Sequence, residues 1–149
     1  MEEQKEIVKQ FRQQQEKYAY YIIALCAAAI GFSVTKTSGQ PLRWVQIPLG
    51  LAVFSWALSM YSGLKFLSYV ISSLYTNNEY FEILKGNDPK VGNHPERINA
   101  AASGIMQAME INSNRANSYA VWQNRLFYFG MMTFIIWHVL EMYVKTKAA

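Results

Sequence analysis

Ser55, Ser59 and Ser62 recur at steps of three and four residues, so on a helix their hydroxyls share one face. Gly63 extends the Ser55–Ser59 ridge, and Lys65, Ser68, Ser72 and Thr76 continue the polar row at the same spacing. The mean step is slightly below one helical turn, so the row drifts slowly around a straight helix. A hydroxyl face within an apolar segment has two uses. It lines an aqueous path, or it lets another helix pack closely, which is the commoner use because membrane helix interfaces favour Ser and Gly. His138 and Glu141 stand three apart and meet on one helix face. Such a pair serves a pore mouth, a selectivity element or a pH-sensitive gate; near a membrane boundary it reaches the headgroups instead. Ser55, Ser59, Ser62, His138 and Glu141 are the pore-lining candidates.

A second constellation is cationic and aromatic. Lys85, Lys90, Arg97, Arg115 and Arg125 lie among Tyr80, Phe81, Tyr119 and Trp122. Charges for phosphates and flat faces for stacking are what a nucleotide or a single-stranded nucleic acid requires. The ligand-binding candidates are Lys85, Lys90, Arg97, Arg115, Tyr119, Trp122 and Arg125. Against them, Glu79, Glu82, Asp88, Glu96 and Glu110 cancel the five bases between Thr76 and Arg125. A neutral stretch is ordinarily a solvated helical surface; an oligomer would restore the field by gathering Arg115 and Arg125 from several subunits into one ring.

Enzyme chemistry has no foothold. No phosphate-cradling loop, HExxH motif or Gly-x-Ser-x-Gly elbow occurs. The single cysteine, Cys26, falls in an apolar stretch that disfavours a thiolate, and it allows no disulfide within one chain. His94 and His138 are too few for zinc and are predicted on opposite sides of a membrane. The expectation is a non-enzyme with neither cofactor nor metal.

The elements that position these residues are apolar runs. Apolar residues make up 52% of the chain and aromatics 15%. Residues 18–34, 44–64 and 126–144 carry no charge until Glu141. A helix rises ~1.5 Å per residue, so ~20 residues cross a hydrocarbon core of ~30 Å. The first run is short and needs Tyr18, Tyr20 and Tyr21 at the interface, or a thinned bilayer. A soluble helical bundle is the rival, but its helices normally keep a polar stripe, whereas the second run reads as apolar on every face. The predicted fold class is all-α: a polytopic membrane protein with three transmembrane helices and a cytoplasmic helical part. It is predicted to be oligomeric, because three ordinary helices enclose no aqueous path.

The predicted organisation is a cytoplasmic helical arm (1–17), a transmembrane hairpin (18–75, spans 18–34 and 44–64, the second continuing as helix), a cytoplasmic helical region (76–125), a third span (126–145) and a tail (146–149). The arm is charged and glutamine-rich, unlike a cleaved signal peptide, so the first span is expected to be retained. Ile7, Phe11 and Tyr18 give the arm a narrow apolar face, suited to a solvated stalk or an oligomerisation arm. Ala24 with Ala28, and Ala27 with Gly31, are small-residue pairs expected to pack within the subunit. Thr35–Leu42 is too short for anything but a hairpin turn. Thr76 and Glu79 have capping-box spacing, although the helix can run on to Leu84. Lys85–His94 reads as a loop, Asn93 or His94 as a cap, and Pro95 as the first turn of a helix. Ile98, Ala101, Ala102, Ile105, Met109 and Asn112 follow a helical period as its packing face.

Counting lysines and arginines orients the chain. The arm and the long connection after the second span share one side and carry ten, against four in the first loop and the tail. The amino terminus reads as cytoplasmic and the carboxyl terminus as external.

This layout resembles small bacterial membrane effectors of anti-phage defence: a hairpin at 18–34 and 44–64, a cytoplasmic part at 77–118 and a last span at 126–144. It is similar to the SLATT effectors, which have two spans where this chain has three, and to the Hailong-type effector, an oligomeric channel controlled by single-stranded DNA oligomers. The resemblance is architectural, covers most of the chain and carries over no functional residue. It implies a pore that depolarises the cell membrane when a cytoplasmic signal changes.

Two functions follow. One is an oligomeric channel or pore-forming effector gated from the cytoplasm by a nucleotide or oligonucleotide. The other is a non-conducting scaffold or adaptor recruiting a cytoplasmic partner protein. Holins with three spans match in span number but usually have an external amino terminus. Single cysteines at Gln4, Ser38, Gly92 and Thr146, on a Cys26→Ala background, test the topology. Membrane-impermeant maleimide is expected to label Ser38 and Thr146 positions from outside intact cells and the other two only after lysis. External labelling at Gly92 would reverse the orientation and favour the holin.

Overall fold

The computed structural model describes residues 2–41 and 43–148, with side chains for 6–41 and 43–147. Met1, Leu42 and Ala149, and the Lys5 side chain counted for the arm, lie outside the described residues. Three long helices account for most of the chain: α1 (Glu2–Thr37), α2 (Ile47–Leu84) and α3 (Pro95–Ala148), with a short 3-10 turn at Trp44–Gln46 before α2. No strand occurs among the described residues.

The helix ends follow local chemistry. Beyond Thr37, Gly39 takes φ 77°, a left-handed value that glycine adopts without a Cβ penalty. Pro48 falls in the first turn of α2, where its missing N–H costs nothing. Thr76 does not cap a new helix; its hydroxyl donates back to the Ser72 carbonyl at 2.8 Å and α2 continues to Leu84. There Gly86 (φ 71°) turns the chain, its N–H donating to Ile83 O at 3.0 Å while Asn87 N–H donates to Glu82 O. At the start of α3 the His94 carbonyl accepts from Ile98 N–H, with Pro95 in the first turn and Glu96 beside the positive end.

All three helices are long enough and apolar enough to span a membrane, the architecture of a multi-pass membrane protein. Only 22% of the most apolar stretch of α1, 39% of that of α2 and 17% of that of α3 is buried within the chain. A soluble bundle would turn these stretches inward. Here Leu25, Phe54, Phe129, Ile135 and Val139 face out, as lipid-facing side chains do.

The chain forms two compact units, Met1–Leu64 with Ala120–Ala149, and Lys65–Tyr119. In the first, Ile22, Cys26, Ala52 and Trp56 form a buried cluster flanked by Ala29, Met60, Phe127 and Phe134. A second cluster gathers Val45, Leu49 and Trp137 against Leu140 and Val144. Phe134 joins the two, with ring centroids 5.6 Å from Trp56 and 5.3 Å from Trp137. The second unit pairs the end of α2 with the start of α3. Phe66, Leu67, Val70, Ile83, Ala102 and Ala116 are its buried apolar residues. The periodic face from Ile98 to Asn112 is its half-buried face, and Ala102 its most buried member.

The small-residue pairs of α1 are a correction. Ala24, Ala27, Ala28 and Gly31 are exposed, and a Cβ on Gly31 would meet nothing within 4 Å. They do not pack within the subunit, because α1 turns Ala19, Ile22, Cys26 and Ser33 inward instead.

Two other glycines are contact points. A Cβ on Gly130 would lie 2.5–3.0 Å from three atoms of the Trp56 indole, and one on Gly63 would overlap the Gln123 carboxamide. The indole is rigid and the carboxamide terminates a flexible side chain. Gly130→Ala is therefore expected to cost about 1–3 kcal/mol, as overpacking does, and Gly63→Ala less. Unfolding in detergent, followed by circular dichroism, checks the order. Gly63→Ala should cost less on a Gln123→Ala background, where only the flexible end of Ile23, at 3.0 Å, still has to give.

Candidate functional site

The serine row resolves into two parts. Ser55, Ser59 and Ser62 are buried, whereas Ser68 and Ser72 are exposed. Ser55 Oγ donates to Leu126 O and Ser59 Oγ to Gln123 O, both at 2.8 Å, and Ser62 Oγ donates to Leu58 O within its own helix. As the serine number rises by four, the accepting residue number falls by three, the signature of antiparallel neighbours in register. Ser55 and Ser59 hold α2 against α3 within the subunit, the packing use, while the Ser62 hydroxyl is turned back onto its own helix.

The residue at the middle of this seam is one that sequence reasoning missed. Gln123 is 2% exposed. Its carboxamide donates to Ala19 O of α1 at 3.2 Å, while its backbone carbonyl accepts from Ser59 of α2. One residue of α3 thus bonds both other helices. Its position just before the third apolar run reads as a headgroup-level polar residue. The signal that finds it is pairwise: an amide opposite Ser59 and Gly63 once α2 and α3 are antiparallel.

His138 and Glu141 line a groove of about 420 Å³ together with Phe32, Lys36, Phe134, Trp137 and Lys145. His138 is exposed. Glu141 is bound by Lys145 at 3.2 Å, one turn further on. The groove therefore brings this pair together with a third and a fourth ionisable group, Lys36 and Lys145, that the sequence reading assigned only to flanking segments.

The ligand candidates do not converge. In the Lys65–Tyr119 unit, Arg115 Nη1 donates to Tyr69 Oη at 3.4 Å, and the Tyr69 ring stacks on Tyr119 at 5.6 Å with an interplanar angle of 19°. Lys85 binds Glu82 at 3.2 Å, Lys90 N–H donates to Asp88 Oδ1, and Arg97 is exposed. In the other unit, Arg125 lies 5.7 Å above the Trp122 ring. Arg115 is thus bonded to Tyr69 within the hairpin unit, and Arg125 pairs with Trp122 within the other. Among the described residues no three His, Cys, Asp or Glu side chains gather as metal ligands. With this geometry in view, the chain was compared with known proteins: no family model, curated protein or solved structure matches it.

At the α2 terminus, hydrogen bonds from Asn87 and Lys85 hold the Glu82 carboxyl below the usual glutamate range. With the folded value lowered, any stabilisation is present above the ordinary carboxylate range and is lost as pH falls through the lowered midpoint. An NMR titration of Glu82 is expected to give a midpoint below that of a free glutamate. Asn87→Ala should move it upward.

Proposed function

We propose that the chain is one subunit of an oligomeric membrane ion channel or pore-forming effector, gated from the cytoplasm by its 65–119 helical hairpin. The outward face of α1 carries this reading. Ala24, Ala27, Ala28 and Gly31 are exposed, and Gly31 has open space where a side chain would be. Small residues in a bilayer are useful where another backbone approaches closely, and in this reading that backbone comes from another subunit. Assembly supplies the walls that one three-helix unit lacks.

Gating is supported by continuity. α2 and α3 extend unbroken across the boundary between the two units at Leu64–Lys65 and Tyr119–Ala120. A ligand or partner that tilts the hairpin therefore acts on the membrane-spanning segments through the same helices. Lys85, Lys90, Arg97 and Arg115 with Tyr119 are the hairpin groups offered to a nucleotide or single-stranded nucleic acid; a cytoplasmic partner protein would use the same surface. In this reading the protein resides in the cell membrane with its amino terminus cytoplasmic. Its output in antiviral defence is depolarisation.

The burial of Ser55, Ser59 and Ser62 favours a second reading, a non-conducting scaffold, because it removes the hydroxyl lining from any path between subunits. Cross-linking and planar-bilayer recordings on purified protein separate the two. Gly31→Leu is expected to reduce the oligomer and the conductance together. Ser55→Ala should leave conductance intact and cost about 0.6 kcal/mol of stability, the mean for a membrane hydrogen bond. An intact oligomer that conducts under no ligand condition would leave the scaffold.

A further inference from the structure

We propose that the groove between the carboxyl-terminal ends of α1 and α3 binds one anionic phospholipid, its phosphate held by Lys36 and one acyl chain laid along Phe32, Phe134 and Met142. The groove lies wholly within the unit that carries the membrane-spanning segments, and its volume of about 420 Å³ is in the range of small-molecule sites. One wall is aromatic: Phe32 and Phe134 meet edge to face at 6.3 Å, and Phe134 leans on Trp137 at 5.3 Å. The rim is cationic. Lys36 Nζ lies 5.6 Å above the Phe32 ring and, among the described residues, has no carboxylate partner. Glu141 is already engaged by Lys145, which leaves the Lys36 ammonium without a carboxylate in the groove.

A second observation calls for an acceptor. Trp137 is 8% exposed and its indole N–H is buried with no hydrogen-bond partner. Buried tryptophan N–H groups ordinarily have one, and an unmet donor costs about 1–3 kcal/mol. A phospholipid offers a phosphate for the ammonium and ester carbonyls for the indole N–H, which they reach once a shift of the groove lining uncovers it. Its acyl chain suits a floor that a free phosphate would leave bare, and residues 34–37 and 144–147 put the groove where the first and third apolar runs end. A packed helix from another subunit would bury the Lys36 charge without an anion.

Native mass spectrometry of the detergent-purified full chain tests this with phosphatidylglycerol, phosphatidylcholine and inorganic phosphate as probes. One phosphatidylglycerol per subunit is expected to be retained, in preference to phosphatidylcholine. Lys36→Gln should weaken retention about tenfold, the loss of one charge-assisted hydrogen bond. Trp137→Phe keeps the ring and removes the donor, and should weaken it too; Lys9→Gln should not. Circular dichroism confirms that the variants keep their helicity. Should Trp137→Phe fail to fold, the exposed Lys36→Gln decides alone. Equal retention of the two lipids, unchanged retention in Lys36→Gln, or an adduct of inorganic phosphate that excludes phosphatidylglycerol would overturn the proposal.

Discussion

Within lipid the hydrophobic effect gives helices no reason to associate, since a neighbouring acyl chain is as apolar as a leucine. The membrane unit of this protein depends on the hydrogen bonds and close approach centred on Gln123. Its carboxamide bonds the Ala19 carbonyl of α1, its carbonyl accepts from Ser59 of α2, and Gly63 leaves the space its side chain fills. Ser55 repeats the α2–α3 contact one turn away, at Leu126 O. Gly130 lets the Trp56 indole come close to α3, which in turn sets Phe134 and Trp137. Each contact is small, but together they select one rotation of three helices whose lipid-facing and inward faces are both apolar.

That last fact decides what can be read without coordinates. The three apolar runs are legible because span length is dictated by bilayer thickness. The hairpin face from Ile98 to Asn112 is legible too, since water on one side and protein on the other give a real periodicity. The rotation of the spans is not. Ala24 and Gly31 face out and Ala19 and Cys26 face in, although nothing in hydropathy separates them. Small size marks a face suited to close approach without saying whose helix approaches. The serine hydroxyls carried the same ambiguity, and only the carbonyls opposite Ser55 and Ser59 show that these two bond α3. His138 and Glu141 were visible as a pair, but Lys36 and Phe32, which complete their groove, come from α1, far from them in the chain.

The helix lengths carry a mechanical consequence. At ~1.5 Å per residue, the 38 residues of α2 extend roughly 57 Å and the 54 of α3 roughly 81 Å, well beyond a hydrocarbon core of ~30 Å. The excess is no loose linker. It is a hairpin with its own buried residues, a stacked Tyr69–Tyr119 pair and an Asn112–Ser72 hydrogen bond at 3.4 Å.

Burial of Ser55, Ser59 and Ser62 also constrains where an aqueous path could run. Within one subunit that seam is filled by Cys26, Trp56 and Gln123, so conduction through it would require unpacking the bonds that orient the helices. A path between subunits leaves those bonds intact. Its walls would then come from faces that are outward here: the small-residue face of α1, and α2 surfaces bearing Phe54, Leu58 and Tyr61. Such walls are mostly apolar, and an apolar constriction gates by dewetting. A conducting assembly of the proposed kind would therefore rest closed, and opening it would require widening such a constriction enough to admit water.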